Sequence, residues 1–179
     1  AGELIVEDYE HAKARGAHIY AEVADAAMTA DAYHMTATHT EGLGAFRAMQ
    51  SALEDAGLNK EQVDYLNAHA TSTPVGDLSE IAAIAKLFGH QPSHLHISAT
   101  KSMTGHLLGA AGAIEAIASV MSIQKSIIPP TINTKHLDAA IPAGLQIVLG
   151  SAIEKNVNVA MSNTFGFGGH NGIVVFRKV

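Results

Sequence analysis

Val63-Asp64-Tyr65-Leu66-Asn67-Ala68-His69-Ala70-Thr71-Ser72-Thr73-Pro74 decides the fold class. The first five residues form a short apolar run that reads as a strand. Thr73-Pro74 then offers an N-cap and a first helical residue for a helix over 74–88. Capping is the favoured role for the Thr73 hydroxyl; the alternative is contact with a substrate arm. The strand-turn-helix order recurs at once, with a strand at Leu95-His96-Ile97-Ser98, a polar turn at Thr100-Lys101-Ser102-Met103-Thr104-Gly105-His106, and a helix near 105–124. Strands alternating with helices predict an α/β layered fold.

Working outward, strands are expected near 3–8 and 18–26, a helix near 41–56, and late strands near 146–149, 157–162 and 172–178. Gly57 and Gly89 follow the ends of their helices, where a left-handed residue is wanted. The stretch Pro129 to Gly144 carries Pro129-Pro130 and Pro142 and is expected to cross in extended form. No repeat or flexible linker interrupts the pattern, so residues 1–179 are read as one compact domain. An apolar strand is expected almost at residue 1, as if the chain were cut from a longer one.

Composition narrows the function. The chain has 179 residues, 47% hydrophobic and 16% charged, enough for one well-filled core. A dispersed net charge of -6 and 5% aromatic residues argue against nucleic acid. With no cysteine there is neither a disulfide framework nor a cysteine-ligated metal, which suits a reducing cytoplasm. Acids occupy the start of the chain where a signal peptide needs bases. Leu107 to Ile123 is apolar but carries Glu115 at its centre, where a charge costs about 2.5 to 3.5 kcal/mol in a bilayer, and is read as a buried helix.

The chemistry-bearing residues gather in the two turns. His69 and His106 each follow a strand, and ligand sites of open α/β sheets lie at the carboxyl ends of strands. His106 is expected in the first turn of its helix, where the dipole keeps imidazole neutral and able to donate to a developing oxyanion. Glu115 shares a helix face with Leu108, Ala111, Gly112, Ala118 and Ser122, so its carboxylate should point inward and demands a partner, for which Lys101 is the candidate. Thr71 and Thr73 add hydroxyls to the His69 turn. Ser162 to Gly172 interleaves Phe165 and Phe167 with four glycines, a composition that permits movement. His90, His94 and His96 lack HExxH spacing and a carboxylate, so no metal site is assigned to them.

Together these segments, with Glu10-His11-Ala12-Lys13-Ala14-Arg15-Gly16-Ala17 and Asp31-Ala32-Tyr33-His34-Met35-Thr36, resemble the C-terminal half of the β-ketoacyl-acyl carrier protein synthases, most like the synthase II type. The resemblance implies a thiolase-like half, a five-stranded mixed sheet flanked by helices. It implies a decarboxylative Claisen condensation in which an acyl group on a cysteine is attacked by the carbanion of malonyl-acyl carrier protein, in fatty acid elongation. It assigns His69 and His106 to the malonyl carbonyl, Lys101 to ordering the site, and Glu115 to pairing with Lys101. Thr36, Thr71 and Thr73 would contact the phosphopantetheine arm, and Phe167 would gate. No resident cofactor is implied, since the substrate carries phosphopantetheine. Implied partners are acyl carrier protein, the N-terminal half of the same enzyme and, for the complete protein, a second copy in a homodimer.

Two departures stand against the pattern. The family's cysteine lies in an N-terminal half that this sequence lacks, so the chain alone is expected to be inactive. Ala37-Thr38-His39-Thr40 replaces the usual Ser-Pro-Pro run after Thr36. The competing readings are a free-standing, non-catalytic half that binds acyl carrier protein or a partner subunit, and a fragment of a polyketide ketosynthase.

Overall fold

The computed structural model describes all 179 residues. Its elements are α1 (Tyr9–Ala14), β1 (Glu22–Ala30), α2 (Leu43–Asp55), β2 (Tyr65–Asn67), α3 (Pro74–Phe88), β3 (His96–Ser98), α4 (Lys101–Thr104), α5 (Ala111–Lys125), β4 (Ile127–Ile128), β5 (Gln146–Ile147), β6 (Ile153–Glu154), β7 (Val159–Gly166) and β8 (His170–Arg177). The main sheet has six strands in the order β1-β8-β7-β2-β3-β5, one more than expected. β5, two residues long and within the strand expected near 146–149, is added in parallel at the β3 edge. β2, β3 and β7 run parallel, while β8 is antiparallel to both β7 and β1, so the sheet is mixed as expected. A separate two-stranded ribbon joins β4 to β6.

Alternation along the strands divides the core. Leu66, Met161 and Val175 point to one face, where Ala45, Ala48, Met49, Ala52 and Leu53 of α2 and Ala83, Ile84 and Leu87 of α3 cover them. Tyr65, Ala160 and Phe176 point to the other, against Ala116 and Ile123 of α5. Full burial of Leu66 and Phe176 is worth about 1.5 to 3 kcal/mol each. Tyr65 is also fully buried and keeps its hydroxyl satisfied by Ser98 Oγ at 2.9 Å.

Gly57 has φ +64, and with Leu58 N donating to Leu53 O at 2.9 Å and Gly57 N to Glu54 O at 3.1 Å it closes α2 in a Schellman motif.

Three expectations fail. Residues 3–8 form no strand and pair with none, and Ile5 and Val6 are 78% and 72% exposed. α1 was not foreseen; it is six residues long, capped by Asp8 accepting from His11 N at 3.1 Å. The helix expected over 105–124 begins only at Ala111, as α5, after a 3-10 turn at Leu108–Ala110, because Gly105 takes φ +72 and Leu108 takes φ +53; α4 falls instead in the segment read as a polar turn. Leu108 is consequently 78% exposed instead of sharing the buried face of Glu115.

Candidate functional site

Because β2, β3 and β7 are parallel, their carboxyl ends share one edge of the sheet, and the turns after them meet there. The His69 turn follows β2, the Lys101 to His106 turn follows β3, and Phe167 lies in the turn after β7. The His69 and His106 rings stand edge to face with centroids 5.5 Å apart, and Phe165 packs on His69 at 5.3 Å.

Burial holds the His69 imidazole neutral, its pKa lowered to about 3, with the Lys101 charge and His106 adding to the effect. His69 Nδ1 is buried and meets no protein hydrogen-bond partner. His106 is not in the first turn of a helix as expected. It lies between α4 and the 3-10 turn, exposed, with Nδ1 accepting from Leu108 N at 3.3 Å. The neutral ring in this site is therefore made by burial at His69, not by a helix dipole at His106.

Lys101 and Glu115 form a buried ion pair, with side chains 5% and 2% exposed. Burial pushes the Glu115 carboxyl up, and the bond to Lys101 pulls it back. Thr71 and Thr73 hydroxyls bond to each other at 3.2 Å, so Thr73 does not cap α3 with its side chain. Asp77 takes over that end, accepting from Ser72 N at 3.0 Å.

Thr36 lies in the exposed segment between β1 and α2, its N–H held by His34 Nδ1 at 3.1 Å. Phe167 is 80% exposed. Its turn is tied to the Thr36 segment, since Gly168 N donates to Met35 O at 2.7 Å and Asp31 N donates to Gly169 O at 2.8 Å. Asn171 donates to Asp31 Oδ1 at 2.8 Å and closes that connection. The substituted residues 37–40 remain part of it through His39 N, which donates to Asp31 Oδ2 at 3.1 Å.

Glu80 escaped sequence reading. Its buried carboxylate accepts from His69 N at 2.9 Å, Ala70 N at 2.8 Å and Asn163 Nδ2 at 2.9 Å, fixing the His69 turn to β7. Burial raises its pKa and those donors oppose the rise. The signal was present: Glu80 shares its helix face with Ala83, Ile84 and Leu87, all buried, the same pattern that exposed Glu115. His94 and His96 turn to Lys60 O and His94 O, and no group of three His, Cys, Asp or Glu side chains gathers to hold a metal.

Chemically, the arrangement offers two imidazoles beside a buried ammonium, suited to an oxyanion that forms during reaction.

Residues 20–135 match the family described as beta-ketoacyl synthase, C-terminal domain. The chain is 53% identical over 178 residues to a 3-oxoacyl-[acyl-carrier-protein] synthase 2 of Staphylococcus aureus, covering 99% of this chain and 42% of that protein. It is 47% identical to the protein of the same name from Vibrio cholerae, of which it covers 43%. A solved beta-ketoacyl synthase from Burkholderia phymatum superposes with a TM-score of 0.89 at 43% identity, over 97% of this chain and 41% of that one. A chain of a type II PKS acyl-carrier protein in complex with its ketosynthase superposes at 0.92 and 39% identity, over 97% and 42%. The chain thus spans less than half the length of these relatives. A strand-end pair of histidines, a buried Lys–Glu pair and this sheet order are thereby joined to a lineage: the chain belongs to the β-ketoacyl synthase family, as its C-terminal domain.

Proposed function

We propose that this chain is the carbonyl-binding half of a 3-oxoacyl-[acyl carrier protein] synthase of the synthase II type, an acyltransferase of fatty acid elongation. The observation that carries the reading is the edge-to-face pair of His69 and His106, with His69 held neutral beside the Lys101–Glu115 pair. A neutral imidazole donates one N–H. N–H groups of His69 and His106 converging on a thioester carbonyl stabilise the enolate left when malonyl-acyl carrier protein loses carbon dioxide. The enolate carbon then attacks an acyl thioester on a cysteine, forming the carbon–carbon bond and expelling the thiolate.

That cysteine is not in this sequence, so the remainder of a longer protein, corresponding to the relatives' N-terminal half, supplies it. No resident cofactor is required. Thr36, Thr71 and Thr73 contact the phosphopantetheine arm, and Phe167 gates access to the acylated cysteine. Acyl carrier protein is the delivering partner, the complete protein is a homodimer, and the compartment is the cytoplasm. No helix of the chain is long and apolar enough to cross a membrane.

The test uses the complete protein. His106→Ala removes most malonyl-acyl carrier protein decarboxylation while acyl loading of the cysteine persists; retained decarboxylation sinks the role given to that ring.

A second reading, a half that docks a partner chain without catalysis, is favoured by one feature. An open groove of about 760 Å3 lies between residues 3–23 and α5, lined by Leu4, Val6, Ile19, Ile117, Val120 and Met121 among others. Such a groove suits the apolar surface of a companion domain.

A further inference from the structure

α4 has four residues, too few to hold its own geometry, yet Lys101 opens it and His106 lies just beyond its end. The Lys101 side chain is anchored to Glu115. The backbone of the turn is anchored elsewhere, by the crossing segment that follows β4. Thr131 Oγ1 accepts from Ala99 N at 2.9 Å. Ser102 Oγ donates to Ala99 O at 2.7 Å and accepts from Ile132 N at 2.9 Å, so the one hydroxyl is used in both senses. Asn133, held at φ +64, donates its amide to Ser102 O at 3.1 Å.

The crossing is itself fixed: Thr131 N donates to Val148 O at 2.8 Å, and Thr131 O accepts from Gly150 N at 2.9 Å.

We infer that Ser102, with Thr131 and Asn133, is a clamp that positions the Lys101–His106 turn for the condensation chemistry. The inference rests on the function proposed above. Ser102 touches no reacting atom in this scheme; it is a positioning residue. It joins the turn to a segment held by the sheet, and the site's precision depends on it because small misplacements of a donor cost disproportionate rate. Alanine deletes both hydrogen bonds of the hydroxyl, leaving Ile132 N–H without its acceptor. Threonine keeps them.

The experiment uses the complete protein with malonyl-acyl carrier protein and an acyl-loaded cysteine. Ser102→Ala is expected to lower kcat for decarboxylation about tenfold with KM and acyl loading unchanged, and Ser102→Thr to recover most of it. Unchanged kcat in Ser102→Ala, or a Ser102→Thr variant as slow as Ser102→Ala, overturns the clamp. Should Ser102→Ala fail to fold, Thr131→Val removes the acceptor of Ala99 N–H and is expected to show the same loss of kcat at constant KM; normal kcat there overturns the proposal too. His106→Ala measured alongside separates the two levels. A loss in His106→Ala without one in Ser102→Ala overturns the clamp alone, whereas a silent His106→Ala overturns the functional assignment beneath it.

Discussion

Glu115 and Lys101 show what a buried pair demands. Truncating Glu115 to Ala leaves an ammonium inside the fold without a counter-charge, and a loss of about 3 to 5 kcal/mol is expected in urea unfolding. Replacing both, as Lys101→Met with Glu115→Leu, recovers most of that loss, since the cost comes from the orphaned charge and not from the missing attraction.

His69 gives a prediction in pH. Its folded value, about 3, lies below the ordinary 6.5, so between these limits the unfolded chain binds a proton that the folded chain refuses. Its contribution therefore lowers stability as pH falls from about 6.5 to about 3, by at most about 1.4 kcal/mol per pH unit, and is flat outside that window. His69→Gln removes this slope. Glu80 and Glu115, with raised values, act in the opposite sense, but they are common to both proteins, so the difference between the two urea series isolates the histidine. Parallel curves for His69→Gln and the parent across pH 4 to 6 would contradict the burial argument.

Among the elements, α2 is seated by an absence of side chain at its first turn. A Cβ on Gly44 would lie 2.0 Å from Asp31 Oδ1 and 2.4 Å from Asn171 Nδ2. Gly44→Ala must push the helix away from the bond that ties the Phe167 turn to the Thr36 segment. A loss of about 1 to 3 kcal/mol is expected, with faster amide exchange at Gly168 and Asp31, whose N–H groups cross that junction. A protected junction with the stability loss alone would place the strain elsewhere.

Local signals located most elements. α3 begins and ends at 74 and 88 as read, because Pro74 and Gly89 bracket an apolar run. The helix after His106 was misread because Leu107-Leu108-Gly109-Ala110 is apolar and carries no breaker stronger than glycine, while the left-handed φ at Leu108 belongs to the tertiary path. β4 and β6 are two residues each, below the length at which alternation can be recognised, whereas β5, equally short, falls within the strand read near 146–149.

Over the whole molecule, the two cores leave the outer side of α5 and residues 3–23 facing an open apolar groove. An apolar dye is expected to bind the chain there, and to be displaced when the rest of the complete protein is present; equal dye binding by both would mean that the groove is not an interface.

The sequence by itself determined the α/β class, the family, the two histidine turns and the Lys101–Glu115 pair, because each rests on local order or on a charge stranded in an apolar helix face. Only the tertiary structure decided that residues 3–8 stay unpaired, that His69 is the neutral ring, and that Glu80 and Ser102 hold the turns. Strand pairing, burial and hydrogen bonds between residues 11 to 30 positions apart are properties of packed neighbours, which no window along the chain contains.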